Sequence, residues 1–146
     1  MLRIVKLTDY ATLLLTHLAR GRNVPNSAQR LADELMLPVP TVSKILKRLS
    51  RAGLVQSTRG ANGGYSLSRV AKAISMAEVI TAIEGPIALT ECALGRGSCT
   101  QEKTCSTRPN WQLISHAVHS ALSSVSVADM ASPMQRSVII PGLRKE

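Results

Sequence analysis

The stretch of sequence that decides the fold is residues 27–52, which read SAQRLADELMLPVPTVSKILKRLSRA. In each half of it the apolar residues recur at steps of three and four, which is the spacing of one buried helix face. The halves meet at Leu37-Pro38-Val39-Pro40, where the prolines interrupt the periodicity and predict a tight turn. Two short helices joined by such a turn are typical of a helix-turn-helix.

The outward face of the second helix carries hydroxyl groups near its start, cations further along and no carboxylate. Hydroxyls can reach base edges in a major groove, and cations can meet the phosphates that flank it. An ordinary solvated face usually mixes both signs of charge, so this face favours a DNA recognition helix. The candidate contact residues on it are Thr41, Ser43, Lys44, Lys47, Arg48 and Arg51.

After Gly53 the periodicity becomes alternating and predicts two short strands, at 54–58 and 65–67. The residues between them contain Asn62-Gly63, a strong turn signal. A two-stranded ribbon after a helix-turn-helix is a wing, although a hairpin that contacts nothing has the same pattern. Arg59, at the base of the ribbon, can enter an adjacent minor groove. The candidate DNA-contacting residues of the wing are Arg59, Asn62, Gly63 and Tyr65.

Helical periodicity flanks this unit on both sides. Before it, apolar positions predict a helix that Thr8 or Asp9 caps. After it, Ser75 and Glu78 have the spacing of a capping box and open another helix. We therefore expect residues 1–84 to form a winged helix-turn-helix domain, in a fold class that is mainly α with a small β-wing.

The charge of the chain supports a polyanion partner for that domain. The 146 residues include 18 Lys and Arg against 9 Asp and Glu, a formal net charge of +9. Residues 1–72 contain 12 of the cations and 3 of the acids, while residues 73–146 contain six of each. A basic half joined to a neutral half predicts a nucleic-acid-binding module attached to a second unit.

Several functional classes are disfavoured by what the sequence lacks. No apolar run approaches the length of a membrane span, and the first residues do not form a signal peptide, so we expect a cytoplasmic protein without a membrane partner. There is no Ser/His/Asp set, paired-carboxylate motif or phosphate-binding loop. We therefore expect neither an enzyme nor a small-molecule substrate.

A further long helix is predicted to begin at residue 110. It belongs to a region that we define as residues 110–131. Its apolar residues alternate steps of three and four, which favours a dimerisation helix, although the same seam can pack on its own domain. His116 and His119 on this helix are either a polar flank or metal ligands, and residues 132–146 are expected to be a flexible tail. The seam is Trp111, Ile114, Val118, Ala121 and Val125.

The three cysteines of the chain, Cys92, Cys99 and Cys105, all lie in the weakly periodic segment 85–109. An odd number of cysteines argues against a disulfide framework. The spacing lacks the close pairs of a structural zinc site. Three thiolates in a loop rich in small residues can hold an iron–sulfur cluster with one further ligand. Zinc binding, redox-active thiols and incidental cysteines remain alternatives.

Together these motifs resemble the winged-helix regulators of the IscR/NsrR type, bacterial repressors of iron–sulfur cluster assembly or nitric-oxide detoxification genes. The start of the chain most resembles the branch that regulates the SUF assembly operon. The resemblance covers residues 1 to about 130. The residues that carry it are Leu7-Thr8-Asp9-Tyr10-Ala11, Leu31-Ala32, Gly53-Leu54-Val55, Arg59-Gly60-Ala61-Asn62-Gly63-Gly64-Tyr65, Glu84-Gly85-Pro86 and the three cysteines.

The resemblance implies a homodimer that binds a double-stranded DNA operator and holds a cluster on its three cysteines, with 2Fe–2S favoured over 4Fe–4S. IscR completes its cluster with a histidine three residues after the last cysteine, and Arg108 at that position cannot ligate iron. The nitric-oxide-sensing branch uses an aspartate from the partner subunit, which matches Asp9. Capping of the first helix is the competing role for this residue.

The function expected from the resemblance is an iron–sulfur-sensing repressor of cluster assembly genes. Ser43 stands where IscR-like proteins have a glutamate that helps to choose between operators, so the cluster-free and cluster-bound forms are expected to differ less in sequence preference. The alternatives are a nitric-oxide- or redox-thiol-sensing regulator of the same fold and, in another class, a non-catalytic accessory protein of cluster assembly.

Overall fold

Helices and one small antiparallel sheet make up the computed structural model, which describes residues 3–22, 24–95 and 97–132. This is the predicted mainly α class with a β-wing. Among the described helices, none combines the length and apolarity that a bilayer crossing requires. The elements are α1 (Lys6–Arg20), α2 (Ala28–Leu35), α3 (Val39–Arg51), β1 (Val55–Thr58), β2 (Gly64–Leu67), α4 (Met76–Glu84), α5 (Glu91–Leu94), α6 (Arg108–Ser123) and α7 (Val127–Ala131).

The core joins α1, α3, α4 and α7 and is built from aliphatic side chains, because the chain has no phenylalanine. The predicted helix-turn-helix is confirmed: α2 and α3 bury the faces that the three-and-four spacing indicated. Burial of this apolar surface is what stabilises helices that are individually short. Fully buried core residues include Leu14, Leu15, Leu18, Leu31, Val42, Ile45, Leu46, Leu49, Ile74, Val79 and Val127.

Side-chain caps start α2, α4 and α7, and the capping box of α4 was predicted. The Ser27 hydroxyl accepts a hydrogen bond from the Arg30 amide at the start of α2. At the start of α4, Ser75 and Glu78 form the complete capping box. Each cap satisfies amides of a first turn that have no partner inside the helix.

The start of α1 differs from the prediction that Thr8 or Asp9 caps it. The helix begins at Lys6, and no side chain of its own first turn caps it. Instead the Glu84 carboxylate, at the end of α4, accepts hydrogen bonds from the Val5 amide at 3.1 Å and the Thr8 hydroxyl at 2.6 Å. A carboxylate from a distant part of the chain supplies the cap, so local spacing could not reveal it.

The wing is confirmed, and it includes a backbone bridge that the sequence pattern did not predict. β1 and β2 pair antiparallel with Val55 opposite Leu67. Asn26, between α1 and α2, pairs with Tyr65 through two backbone hydrogen bonds of 3.0 and 2.8 Å. Because a Cβ at Gly64 would lie 2.5 Å from the Asn26 carbonyl carbon, only glycine permits this approach.

We expect Gly64→Ala to destabilise the protein by about 2 kcal/mol or more, because the added methyl group forces apart the backbones of the wing and Asn26. Thermal unfolding measures the loss. Gly60→Ala is a matched control, since Gly60 also has a positive φ but open space around its Cβ position. Equal stability losses in the two variants would contradict the role of close approach at Gly64.

The second half of the chain requires boundary corrections. The segment predicted as a loop over 85–109 contains α5, and its last residues already belong to α6, which starts at Arg108 and not at residue 110. α6 ends at Ser123, so Val125 does not continue the seam and packs partly buried against the core. After it, α7 packs on α1. The predicted tail lies outside the described residues except for Ser132.

Candidate DNA-binding surface and cysteine segment

The recognition helix α3 presents most of its predicted contact residues to solvent. Ser43, Lys44, Lys47 and Arg51 are exposed, and Thr41 is half-buried near the N-terminal end of the helix. The opposite face is buried in the core. Packing therefore fixes the orientation of α3, and the cationic face stays available to a duplex.

Arg48 is placed differently from the other cations of α3. It is half-buried, and its Nη1 donates a 2.7 Å hydrogen bond to the Ile83 carbonyl near the end of α4. The sequence pattern grouped Arg48 with the phosphate-contacting cations. Its packing neighbour could not be predicted from the periodicity of α3 alone.

The wing presents Arg59 and Asn62 on an exposed turn. Gly63 is required by geometry, because a Cβ there would lie 2.2 Å from the Thr58 carbonyl oxygen. Tyr65, also predicted to contact DNA, is half-buried and packs against the core. The residues at the turn are thus open to a duplex, while Tyr65 anchors the ribbon to the domain.

The cysteine segment lies between α4 and α6, and side chains of α6 form hydrogen bonds to it. The Ser115 hydroxyl, which is buried, accepts a hydrogen bond from the Leu89 amide at 3.3 Å. The Gln112 side chain donates to the Cys92 carbonyl at 3.4 Å. The inward face of α6 therefore supports the segment that carries the cysteines.

All three cysteines are free thiols, and their surroundings differ. Cys92 is 7% exposed, and its sulfur lies 3.1 Å from the Thr90 hydroxyl. Cys99 and Cys105 are half-buried. Hydrogen bonds from the Thr107 hydroxyl and amide, followed by the amide and charge of Arg108, hold the pKa of the Cys105 thiol below its usual value. The thiolate is the form that binds metals and reacts with oxidants, so these interactions activate Cys105.

Arg108, at the position of the IscR histidine, has a structural role inside the segment. Its guanidinium forms a 2.7 Å ion pair with Glu102, whose carboxylate also accepts a hydrogen bond from the Gly97 amide. Its Nε is buried and has no hydrogen-bond partner within the described residues. A guanidinium has no lone pair to donate to iron, which agrees with the expectation that this position contributes no ligand.

Asp9, the candidate fourth ligand, is an exposed carboxylate in the first turn of α1. Its carboxylate has no hydrogen-bond or ion-pair partner in the described part of the chain, and the capping role considered for it belongs to Glu84. The carboxylate of Asp9 is thus accessible to groups outside its own chain.

The chemistry of the donor set fits an iron–sulfur cluster: three free thiols and the carboxylate of Asp9, which has no partner among the described residues. Over residues 3–22, 24–95 and 97–132, however, no three His, Cys, Asp or Glu side chains stand close enough together to hold a metal ion. Binding would therefore require the cysteine segment to close around its ligand.

The outward face of α6 leaves large apolar side chains in solvent. Trp111, Leu113 and Ile114 are 41%, 70% and 45% exposed, and Ser115 is the only residue of this helix that is buried. Such a stripe on a long helix marks an interaction surface. It includes the first two positions of the predicted seam.

The sequence motifs did not indicate three residues that form hydrogen bonds or ion pairs at the site. They are Glu84, Glu102 and Gln112. Glu84 lies within the Glu-Gly-Pro motif but received no role there. Glu102 and Gln112 follow no motif, and only the packing of the segment against α6 reveals them.

Comparison with known proteins agrees with this geometry. The family model described as Rrf2, an iron-dependent transcriptional regulator, matches residues 4–133. The transcriptional regulator IscR of Yersinia pseudotuberculosis is 27% identical over 132 residues, which cover 90% of this chain and 80% of that protein. Members of this family bind DNA, are typically dimers and are not enzymes.

Two solved structures share the fold over most of both chains. CymR, the global cysteine regulator of B. subtilis, superimposes with a TM-score of 0.69 at 32% identity, covering 90% of this chain and 97% of that one. T. potens IscR gives a TM-score of 0.67 at 26% identity and covers 93% of each chain. The chain therefore belongs to the Rrf2 family of transcriptional regulators.

Proposed function

We propose that this DNA-binding regulator senses an iron–sulfur cluster and represses cluster assembly genes, with the state of the cluster setting its affinity for the operator. The observation that carries the proposal is the segment between α4 and α6, where three free thiols lie beside a DNA-reading domain. The iron-dependent description of the family and the similarity to IscR support it.

Within this proposal Cys92, Cys99 and Cys105 hold the cluster, and Asp9 of a second copy completes the set. When bound, such a cluster supplies a centre that reacts with nitric oxide and oxidants. The chain itself supplies the thiolates, and the Thr107 and Arg108 groups favour the charged form of Cys105. Glu102 and Arg108 order the backbone between the last two cysteines.

Homodimerisation through the outward face of α6 is part of the proposal. The exposed Trp111, Leu113 and Ile114 would be buried against the same residues of a second copy. A dimer brings two recognition helices to two half-sites of one operator. It also provides the second subunit from which Asp9 reaches the cysteine segment.

Anaerobic purification tests the proposal directly. We expect a coloured protein with visible sulfur-to-iron charge-transfer absorption and equimolar iron and sulfide. A gel shift on the DNA upstream of its own gene then measures binding before and after cluster removal. A colourless protein containing neither iron nor sulfide, after purification without oxygen, would contradict the cluster assignment.

Asp9→Ala is expected to bind the cluster but to lose it several-fold faster under air, because one ligand position is left to solvent. The decay of the visible absorption measures the rate. Asp33→Ala is the matched control, because Asp33 is also an exposed helical aspartate but lies on α2. Equal decay rates in wild type and Asp9→Ala would exclude Asp9 as a ligand.

Arg59→Ala is expected to weaken operator binding by about 1–3 kcal/mol, since the exposed guanidinium at the wing is lost from the minor groove. Fluorescence anisotropy at one fixed salt concentration measures the change. Arg22→Ala serves as a control, because Arg22 is an equally exposed cation between α1 and α2, outside the wing and α3. An affinity unchanged by Arg59→Ala would refute its role.

A cluster-free regulator that senses thiol oxidation is the second candidate. The lowered pKa of Cys105 and the similarity to the cysteine regulator CymR favour it. This candidate predicts a colourless protein whose DNA affinity changes when an oxidant is added and is restored by a thiol reductant. The same anaerobic spectrum therefore separates the two candidates.

A further inference from the structure

One side chain of the recognition helix donates a hydrogen bond to the last turn of α4. Arg48, on α3, donates from Nη1 to the Ile83 carbonyl over 2.7 Å. This carbonyl belongs to the last turn of a helix, where such groups lack partners inside the helix. A half-buried guanidinium that satisfies one of them joins the end of α4 to the helix that reads DNA.

Glu84, the residue after Ile83, connects the same turn to α1 by hydrogen bonds. Its Oε1 accepts from the Val5 amide and from the Thr8 hydroxyl, and Thr8 is only 1% exposed. These bonds hold the first turn of α1, which carries Asp9, against the end of α4. One turn of α4 is thus bonded to two helices through two adjacent residues.

The cysteine segment begins directly after this turn. Gly85 ends α4, and the chain continues to Cys92 with its next hydrogen bond to α6 at Leu89. A displacement of the segment therefore acts first on Ile83 and Glu84. The three hydrogen bonds described above connect this turn to α3 and α1.

We propose that Arg48 and Glu84 are positioning residues that couple the cysteine segment to the DNA-reading helix. In this role Arg48 holds the Ile83 carbonyl and contributes no phosphate contact, in contrast to Lys44, Lys47 and Arg51. Glu84 sets the position of Asp9 relative to the segment. The inference rests on the proposed function in one respect, that the signal is received in the cysteine segment.

The salt dependence of DNA binding tests Arg48 in cluster-free protein. The slope of log affinity against log salt is negative, and its magnitude reflects the number of phosphate contacts. Each lost contact lowers this magnitude by about 0.9, measured between about 50 and 200 mM. We expect Lys47→Met to lower the magnitude by this amount and Arg48→Met to leave it unchanged. A magnitude lowered equally by Arg48→Met would overturn the assignment, because it would identify Arg48 as a phosphate contact.

The ratio of operator affinities with and without the cluster tests the coupling. In Arg48→Met this ratio is expected to fall at least about threefold towards one, while Lys47→Met keeps the wild-type ratio despite weaker binding. Melting temperatures of both variants establish that they are folded. A wild-type ratio in Arg48→Met would contradict the coupling role.

Glu84 variants provide a test that does not depend on Arg48. Glu84→Gln keeps an oxygen acceptor for Val5 and Thr8, whereas Glu84→Leu removes it. We expect hydrogen exchange at the Val5 amide of cluster-free protein to accelerate at least about tenfold in Glu84→Leu and little in Glu84→Gln. The absorbance of the loaded protein should likewise decay faster only in Glu84→Leu. Equal exchange in both variants would overturn the role of Glu84.

These experiments distinguish failure of the coupling role of Arg48 and Glu84 from failure of the proposed function on which it rests. If wild-type protein binds no cluster, or binds DNA equally with and without it, the proposed function fails. The salt slope and the amide exchange, both measured on cluster-free protein, then still decide whether Arg48 and Glu84 hold the last turn of α4.

Discussion

Ile114→Asp is expected to convert the protein from a dimer to a monomer and to lower operator affinity by two orders of magnitude or more. Ile114 is 45% exposed in the single chain. Viewed down the axis of α6, its side chain lies between those of Trp111 and Leu113. In a twofold interface each substitution occurs twice, so two apolar contacts are lost and two carboxylates are buried without partners. We expect a cost of about 3 kcal/mol or more per dimer.

Analytical ultracentrifugation measures the change in oligomeric state, and anisotropy with a full operator measures the loss of DNA binding. Ser123→Asp is the matched control, because this exposed residue lies on the opposite side of the same helix from Ile114. It introduces the same charge away from the apolar stripe and should remain dimeric. A dimeric Ile114→Asp protein with wild-type melting temperature would show that another surface forms the interface.

Cys105→Ala is expected to abolish the visible absorption of the anaerobically prepared protein. Its sulfur is the activated thiol of the segment, and its loss leaves two thiols that cannot hold a cluster without it. The variant should keep the fold, because Cys105 is not part of the buried core. We therefore expect full loss of iron and sulfide with an unchanged helical content.

Ser106→Ala is the control for this substitution, because it removes a neighbouring exposed side chain and leaves all three thiols in place. Iron and sulfide analysis after anaerobic reconstitution gives the comparison. Retention of wild-type iron and sulfide in Cys105→Ala would show that Cys105 is not a ligand of the cluster. Absence of iron and sulfide from both the wild type and Cys105→Ala would instead support the thiol-sensing candidate, in which Cys105 reacts without a cluster.

The fold was largely predictable because its elements are specified by short-range patterns. The three-and-four spacing of α2 and α3, the turn at Asn62-Gly63 and the capping box at Ser75 all act within a few residues. These are the interactions that periodicity and turn chemistry report. The predicted elements between α1 and α4 accordingly differ from the structure mainly in their boundaries.

The features that the sequence did not predict depend on contacts between distant residues. Glu84 caps α1 from 79 positions beyond Val5, and Arg48 reaches Ile83 over 35 positions. α5 is a single turn with too few residues for a periodic signal. Under the proposed function, a ligand would bring the three cysteines together and a second chain would supply Asp9, and no pattern within one chain encodes either.

A paired titration measures whether the cysteine segment controls DNA binding. Operator affinity is measured on a single anaerobic preparation, first with its cluster and again after the cluster has been removed. We expect the two affinities to differ by at least about tenfold, corresponding to about 1.4 kcal/mol of coupling. Equal affinities for a protein whose absorption confirms loading and removal would contradict this expectation.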